Sequence, residues 1–257
     1  MEILKSTARL LLPQPVRSRI SKTIKEKRSQ RTLLYLRSND AELDVTLNMV
    51  LSDYRRKKPM PFFLEVGACD GVSHDPIYPL IEKHCLRGIL VEPQPELFKA
   101  LKTNYAAFDD SRFTFVNAAI AESDGRLPLY RIDSGTSGPG WLRGTASFDK
   151  KVILKQRALV SGLHTEVTFE MVQTITFRSL LEQTGVEHID LLQIDAEGYD
   201  VVILRLFDVP SRKPAIVRFE HAHLSPQDYR GCLDLLVSLG YKLSLGFADT
   251  LAYNPEY

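Results

Sequence analysis

The sequence predicts an α/β fold: a mainly parallel central sheet, helices on both faces, an antiparallel C-terminal hairpin and a helical N-terminal extension. Three observations point there. From residue 61 onward, short apolar runs alternate with longer amphipathic segments, the mark of strand–helix–strand units. Acids and glycines recur just past the apolar runs, where such sheets place their ligand crevice. The composition, 44% hydrophobic and 25% charged over 257 residues, suits one globular domain with a substantial core.

Each element has its own reason. Residues 1–60 read as a basic helical extension preceding a domain at 61–257, with Pro13 and Pro15 interrupting the first turns. Within it, AELDVTLNMVLSDY (41–54) sets Leu43, Leu47, Val50, Leu51 and Tyr54 near helical spacing. FFLEVG (62–67) is a buried strand, and 75–84 a helix whose start Pro76 and Pro79 disturb. RGILVEP (87–93) is the second strand. A helix follows at 95–108, with Pro95 in its first turn, where a missing N–H costs nothing. RFTFVNAAI (112–120) is a third strand, and GRLPLYRI (125–132) an added one.

The stretch SGTSGPGWLRGTASF (134–148) is rich in Gly, Ser and Thr and reads as a loop, either closing over a substrate with Trp141 or lying in solvent. Strands at 166–176, 188–195 and 214–220 alternate with helices at 177–185, 199–207 and 225–240. Gly185 suits a helix C-terminus, and Ser225 an N-cap followed by Pro226. The segments 241–247 and 250–254 finish as a strand hairpin.

Charge is unevenly placed. Residues 1–31 hold nine Lys/Arg against two acids, and the rest of the chain 24 against 30. A solvated helix packed on the domain is the expected reading of this arm; attachment to anionic lipid or an acidic partner is the competing one. The formal net charge of +1 gives no nucleic-acid signature. Cys69, Cys85 and Cys232 form no CxxC pair, so neither a disulfide framework nor a zinc site is expected. With no export signal and no apolar run of membrane length, the expected location is cytoplasmic.

The strand ends define a ligand. After the first strand come Glu65, Gly67, Asp70 and Gly71; after the second, Glu92; after the third, Asn117 and Ala118. Later ends carry Asp195, Glu197 and Gly198, then Glu220, His221 and His223. Glycines let backbone approach a ligand closely, and an acid at the second strand end accepts hydrogen bonds from ribose hydroxyls. The run GACDG lacks GxGxxG, and Asp70 puts negative charge where a pyrophosphate would sit. That disfavours NAD and an oxidoreductase. A cofactor carrying an amino group and a sulfonium cation tolerates the acids, which favours S-adenosyl-L-methionine.

The segments FLEVGACDGVSHDP, ILVEPQPELFKALKTN, FVNAAIAESDG and IDLLQIDAEGYDVVIL resemble the FkbM-type S-adenosylmethionine-dependent methyltransferases, as do GTASFD and FEHAHLS. The resemblance runs from about residue 61 to about 223. It implies a Rossmann-like class I methyltransferase core and O-methylation of a hydroxyl on a sugar, glycan or other small or conjugated metabolite. A non-catalytic binding protein that retains the pocket is the alternative. Two positions depart from the family pattern: Cys69, where it often has Asn, and Gln193, where it usually has Lys.

On this reading Glu65, Gly67, Asp70 and Gly71 form the methionine and ribose side of the cofactor site. Glu92 takes the ribose hydroxyls, and Asn117 and Ala118 lie near the adenine. Asp195 is the first candidate for orienting the acceptor or taking its proton; His221 and His223 are the alternatives, because imidazole titrates near neutral pH. Asp195, Glu197, Glu220 and His221 have the chemistry of metal ligands, but strand-end acids give no fixed ligand spacing, and no metal is expected.

Overall fold

The computed structural model describes residues 35–37 (backbone only), 39–132, 142, 144–159 and 166–256. The basic arm and Trp141 lie outside the described residues.

An eight-stranded sheet forms the centre. Its strands, in sequence order, are β1 (Tyr35–Arg37), β2 (Phe62–Val66), β3 (Arg87–Val91), β4 (Phe113–Val116), β9 (Leu191–Ile194), β10 (Ile216–Glu220), β11 (Lys242–Leu245) and β12 (Asp249–Tyr253). Across the sheet they run β1-β11-β12-β10-β9-β2-β3-β4. All pairings are parallel except those of β12, which runs antiparallel to both β10 and β11. The chain leaves β2 toward β3 and β4 on one side, then returns to β9 on the other. The crevice therefore opens between the carboxyl ends of β2 and β9.

Strand alternation assigns the two faces. Leu64, Ile89, Val91, Leu192, Ile194, Val217 and Phe219 pack with α5 (Phe177–Thr184), α6 (Asp200–Phe207) and α8 (Pro226–Ser238). Phe63, Leu90, Leu191 and Ile216 pack on the other side with α1 (Asp40–Tyr54) and α3 (Pro95–Asn104). Leu43, Leu47 and Leu51 of α1 are fully buried in that second layer. Asn39 starts α1 with a capping box: its side chain accepts from the Glu42 N–H while the Glu42 carboxylate accepts from the Asn39 N–H.

A second sheet, β5-β8-β6-β7, combines β5 (Ala119–Ile120), β6 (Gly125–Ile132), β7 (Ala146–Ser147) and β8 (Val167–Ile175). Between β7 and β8 lies α4 (Lys150–Leu159).

Several expected boundaries shift. The strand expected over 112–120 divides at Asn117, whose side-chain amide donates to the carbonyls of Glu92 and Pro93; β4 stays in the large sheet and β5 enters the small one. The helix expected over 75–84 shrinks to a 3-10 turn (Tyr78–Leu80) and α2 (Ile81–His84), because Asp75 caps the Ile77 N–H where the first turn would form. The helix at 95 ends at Asn104, and Tyr105 and Phe108 turn into an aromatic cluster with Tyr78 and Phe113. A short helix, α7 (Val209–Arg212), follows α6.

Candidate functional site: an acid-lined cavity at the carboxyl edge

A cavity of about 970 Å³ opens at the carboxyl ends of β2, β3, β9 and β10. That lies at the upper end of the roughly 300–1,000 Å³ common for small-ligand sites. Its floor depends on Gly67. With φ at +86°, a Cβ there would come within 1.8 Å of the Asp195 carbonyl oxygen. Only glycine lets β2 end this close to the chain leaving β9.

Glu92 lies beside it, just past β3, and is 3% exposed. Its Oε2 accepts the Cys69 N–H at 2.9 Å and its Oε1 the Gln94 N–H at 2.7 Å. Burial pushes its carboxyl up to about 7, and the two N–H donors moderate the rise. Each oxygen keeps a lone pair for a further donor.

Asp70 also lines the cavity, but its carboxylate is occupied. It accepts from the Val72 and Ser73 N–H groups and from Ser73 Oγ. Partial burial opposes its charge, yet these hydrogen bonds hold its pKa below the usual carboxylate value.

On the opposite wall, the turn after β9 carries Asp195, Glu197 and Gly198. Asp195 is exposed to the solvent of the cavity. The protein packed around it, then the charges of Glu197, Asp200 and Asp249, push its carboxyl above the ordinary range, with Arg218 opposing. Glu197 has φ of +49°, and its carbonyl accepts a hydrogen bond from Ser147 Oγ at 2.7 Å. At the end of β10, Glu220 is pushed up to about 11 by burial and by Asp195, Glu197 and the other nearby acids.

Four expected site residues lie outside the cavity wall, each for a physical reason. Glu65 is buried and hydrogen-bonded to Asp75, and burial with the Asp75 charge pushes its carboxyl well above the ordinary range. Gly71 serves packing, since a Cβ there would meet Leu101 at 2.3 Å and Tyr105 at 2.6 Å. Asn117 acts from behind, fixing the backbone of Glu92 and Pro93. His221 turns away, with Nδ1 3.0 Å from Thr250 Oγ1 and its ring stacked 4.2 Å from that of Tyr229. Burial lowers its pKa, as expected of a packed imidazole.

Gly67, Asp70, Glu92, Ala118, Asp195 and His223 do line the cavity, as do Gly144, Thr145, Ala146 and Phe148 from the expected loop. The sequence reading missed Asp75, Asp200, Gln156 and Tyr199. Asp200 is fully buried at the start of α6, where burial raises its carboxyl to about 7. Gln156 reaches His223 Nε2 at 2.8 Å. An acid at the first turn of an expected helix was the one available signal for Asp200.

The donor set fits S-adenosylmethionine. The described lining holds five carboxylates (Asp70, Glu92, Asp195, Glu197 and Glu220) and neither Lys nor Arg. Such a wall offers acceptors to an amino group and ribose hydroxyls and no basic side chain to a pyrophosphate.

No curated protein sequence matches this chain. Among solved structures, it is similar to methyltransferase FkbM from Methylobacillus flagellatus KT, with 14% identity and a TM-score of 0.48, over 75% of this chain and 43% of that one. It is also similar to the METTL16 MTase domain, with 10% identity and a TM-score of 0.44, over 82% and 66%. The chain thus spans less than half the length of the Methylobacillus protein. The model of the methyltransferase FkbM domain matches residues 65–243, and the chain belongs to that family.

Proposed function

We propose that this FkbM-family methyltransferase uses S-adenosyl-L-methionine to methylate a hydroxyl of a sugar, glycan or other small or conjugated metabolite. One observation carries the reading: Glu92 and Gly67 meet at the carboxyl edge of β2 and β3, on the wall of an acid-lined cavity.

When bound, the cofactor supplies an electrophilic methyl on a sulfonium. The chain's residues do the rest. Glu92, held by the Cys69 and Gln94 N–H groups, accepts the ribose hydroxyls on its remaining lone pairs. The close approach at Gly67 gives the methionine portion room beside β9. Asp195 orients the acceptor hydroxyl and takes its proton; the neighbouring acids raise its basicity above that of an isolated carboxylate. His223, also on the wall, is the other group able to hold that proton. The lining, free of Lys and Arg among the described residues, supports an uncharged acceptor over a phosphorylated one. Three free cysteines agree with a reducing compartment. No helix among the described residues is long and apolar enough to cross a membrane.

The test is mass spectrometry of cell extract incubated with the protein and isotopically methyl-labelled cofactor. A labelled methyl ether, lost in Asp195→Asn by roughly 100-fold in kcat with cofactor affinity kept, supports the reading. Cofactor binding without any labelled product across glycan and lipid acceptors favours a non-catalytic binding protein. Binding of NAD with no response to S-adenosylhomocysteine overturns the cofactor assignment.

A further inference from the structure

We infer that Glu197, Glu220 and His223 form a binding site for one divalent transition-metal ion on the wall of the cavity. The three come from different places in the chain: the turn after β9, the end of β10, and the turn three residues beyond it. Their ligand atoms all lie within 4.8 Å of one another. Glu197 Oε2 is 3.1 Å from His223 Nε2, and Glu220 Oε1 is 3.4 Å from the same nitrogen. For metal–ligand bonds of about 2.1 Å, neighbouring ligands sit roughly 3.0 Å apart in an octahedron and about 3.4 Å apart in a tetrahedron. The two spacings at His223 Nε2 lie in that range, and the third pair lies within 4.8 Å.

An ion pair alone leaves acceptors unused. Glu220 Oε2 is buried with no hydrogen-bond donor, and Glu197 Oε2 has only the His223 imidazole nitrogen, 3.1 Å away. Asp200 is fully buried beside them, close enough to raise the pKa of Glu220, and its Oδ1 is likewise without a partner. Arg218 is committed to Asp44 at 2.6 Å and Asp249 at 2.8 Å. A bound dication supplies a partner for the carboxylate oxygens that the chain leaves unbonded. Two carboxylates with one imidazole suit Mn²⁺, Co²⁺ or Zn²⁺ better than Mg²⁺ or Ca²⁺, which favour all-oxygen sets. Binding turns the amide of Gln156 away from His223 Nε2, or recruits its oxygen as a fourth ligand.

All three residues line the cavity, so the coordination positions they leave open are accessible to an oxygen of the acceptor. This role, unlike the site itself, rests on the methyltransferase reading above.

The test titrates chelator-treated full-length protein, without cofactor, with Co²⁺ followed by visible absorption and Mn²⁺ followed by electron paramagnetic resonance. The expected result is one equivalent bound, with affinity reduced at least tenfold in both Glu220→Gln and His223→Gln. Should one variant fail to fold, judged by circular dichroism, the other decides. Glu92→Ala separates the two claims: it weakens S-adenosylhomocysteine binding and leaves the metal affinity unchanged. No saturable binding up to 1 mM metal, on the order of the weakest extracellular cation sites, overturns the site, as does binding that both variants retain. Either failure leaves the cofactor reading standing if S-adenosylhomocysteine still binds.

Discussion

The two ends of strand β9 treat their acids in opposite ways. At the amino end, Asp190 is fully buried and saturated with donors. It accepts from Tyr54 Oη at 2.6 Å, the Phe62 N–H at 2.7 Å and Lys58 Nζ at 2.8 Å, and His188 Nε2 lies 3.1 Å away. At the carboxyl end, Asp200 and Glu220 each keep a buried oxygen with no donor, and Glu197 Oε2 has only His223 Nε2 at 3.1 Å. A buried carboxylate with spare acceptors costs stability. The first acid fastens α1 and β2 to the sheet. Glu197 and Glu220 line the cavity where β9 and β10 end, while Asp200 is fully buried at the start of α6 and accepts the Gly198 N–H.

This contrast is broken most severely at Asp190. Asp190→Ala strips the partner from Lys58 and Tyr54 and is expected to cost about 3–5 kcal/mol, measured by urea denaturation. The surviving folded protein should keep its cofactor affinity. Gly67→Ala comes next. The added Cβ meets backbone at 1.8 Å in a left-handed conformation, so the cost is at least about 2 kcal/mol, and here cofactor binding is lost with stability.

A smaller effect is read from pH. Burial raises Asp75 to about 6 and both Glu92 and Asp200 to about 7, above their unfolded values near 4. The folded chain therefore holds protons that the unfolded chain has released, and stability falls as pH rises from about 4.5 through 7. The ligand-free protein should melt on the order of 5 °C lower at pH 8 than at pH 5.5. S-adenosylhomocysteine binding should run the other way, tightening as Glu92 ionises through pH 7. The smallest effect is at Asp200→Asn. Removing a charge with an orphaned oxygen should leave the ligand-free protein as stable or raise its melting temperature by about 1–3 °C, the reverse of Asp190.

Much of this architecture was legible in the sequence. Continuous burial on both faces of β2, β3, β9 and β10 follows from their short unbroken apolar runs, and Gly67 and Glu92 stood where the crevice needed them. Less legible was which side of a turn each residue takes. His221 and His223 are two residues apart, yet one turns into Tyr229 and Thr250 and the other onto the cavity wall. Pairing across the fold was invisible too. Glu65 looked like a ligand-facing acid, but Asp75 claims it from a turn ten residues on. In the sheet, Gln193 stands between Glu65 and Arg218, and its Oε1 has no hydrogen-bond partner. Strand register alone shows which acid it neighbours.

The most direct measurement is isothermal titration of the full-length protein with S-adenosylhomocysteine at pH 7.5, alongside Glu92→Ala. One site in the micromolar range, weakened at least 30-fold by the substitution (about 2 kcal/mol), is the predicted result. No heat of binding in a folded wild-type protein, or equal affinity in the variant, would contradict the assignment of this cavity to an adenosyl cofactor.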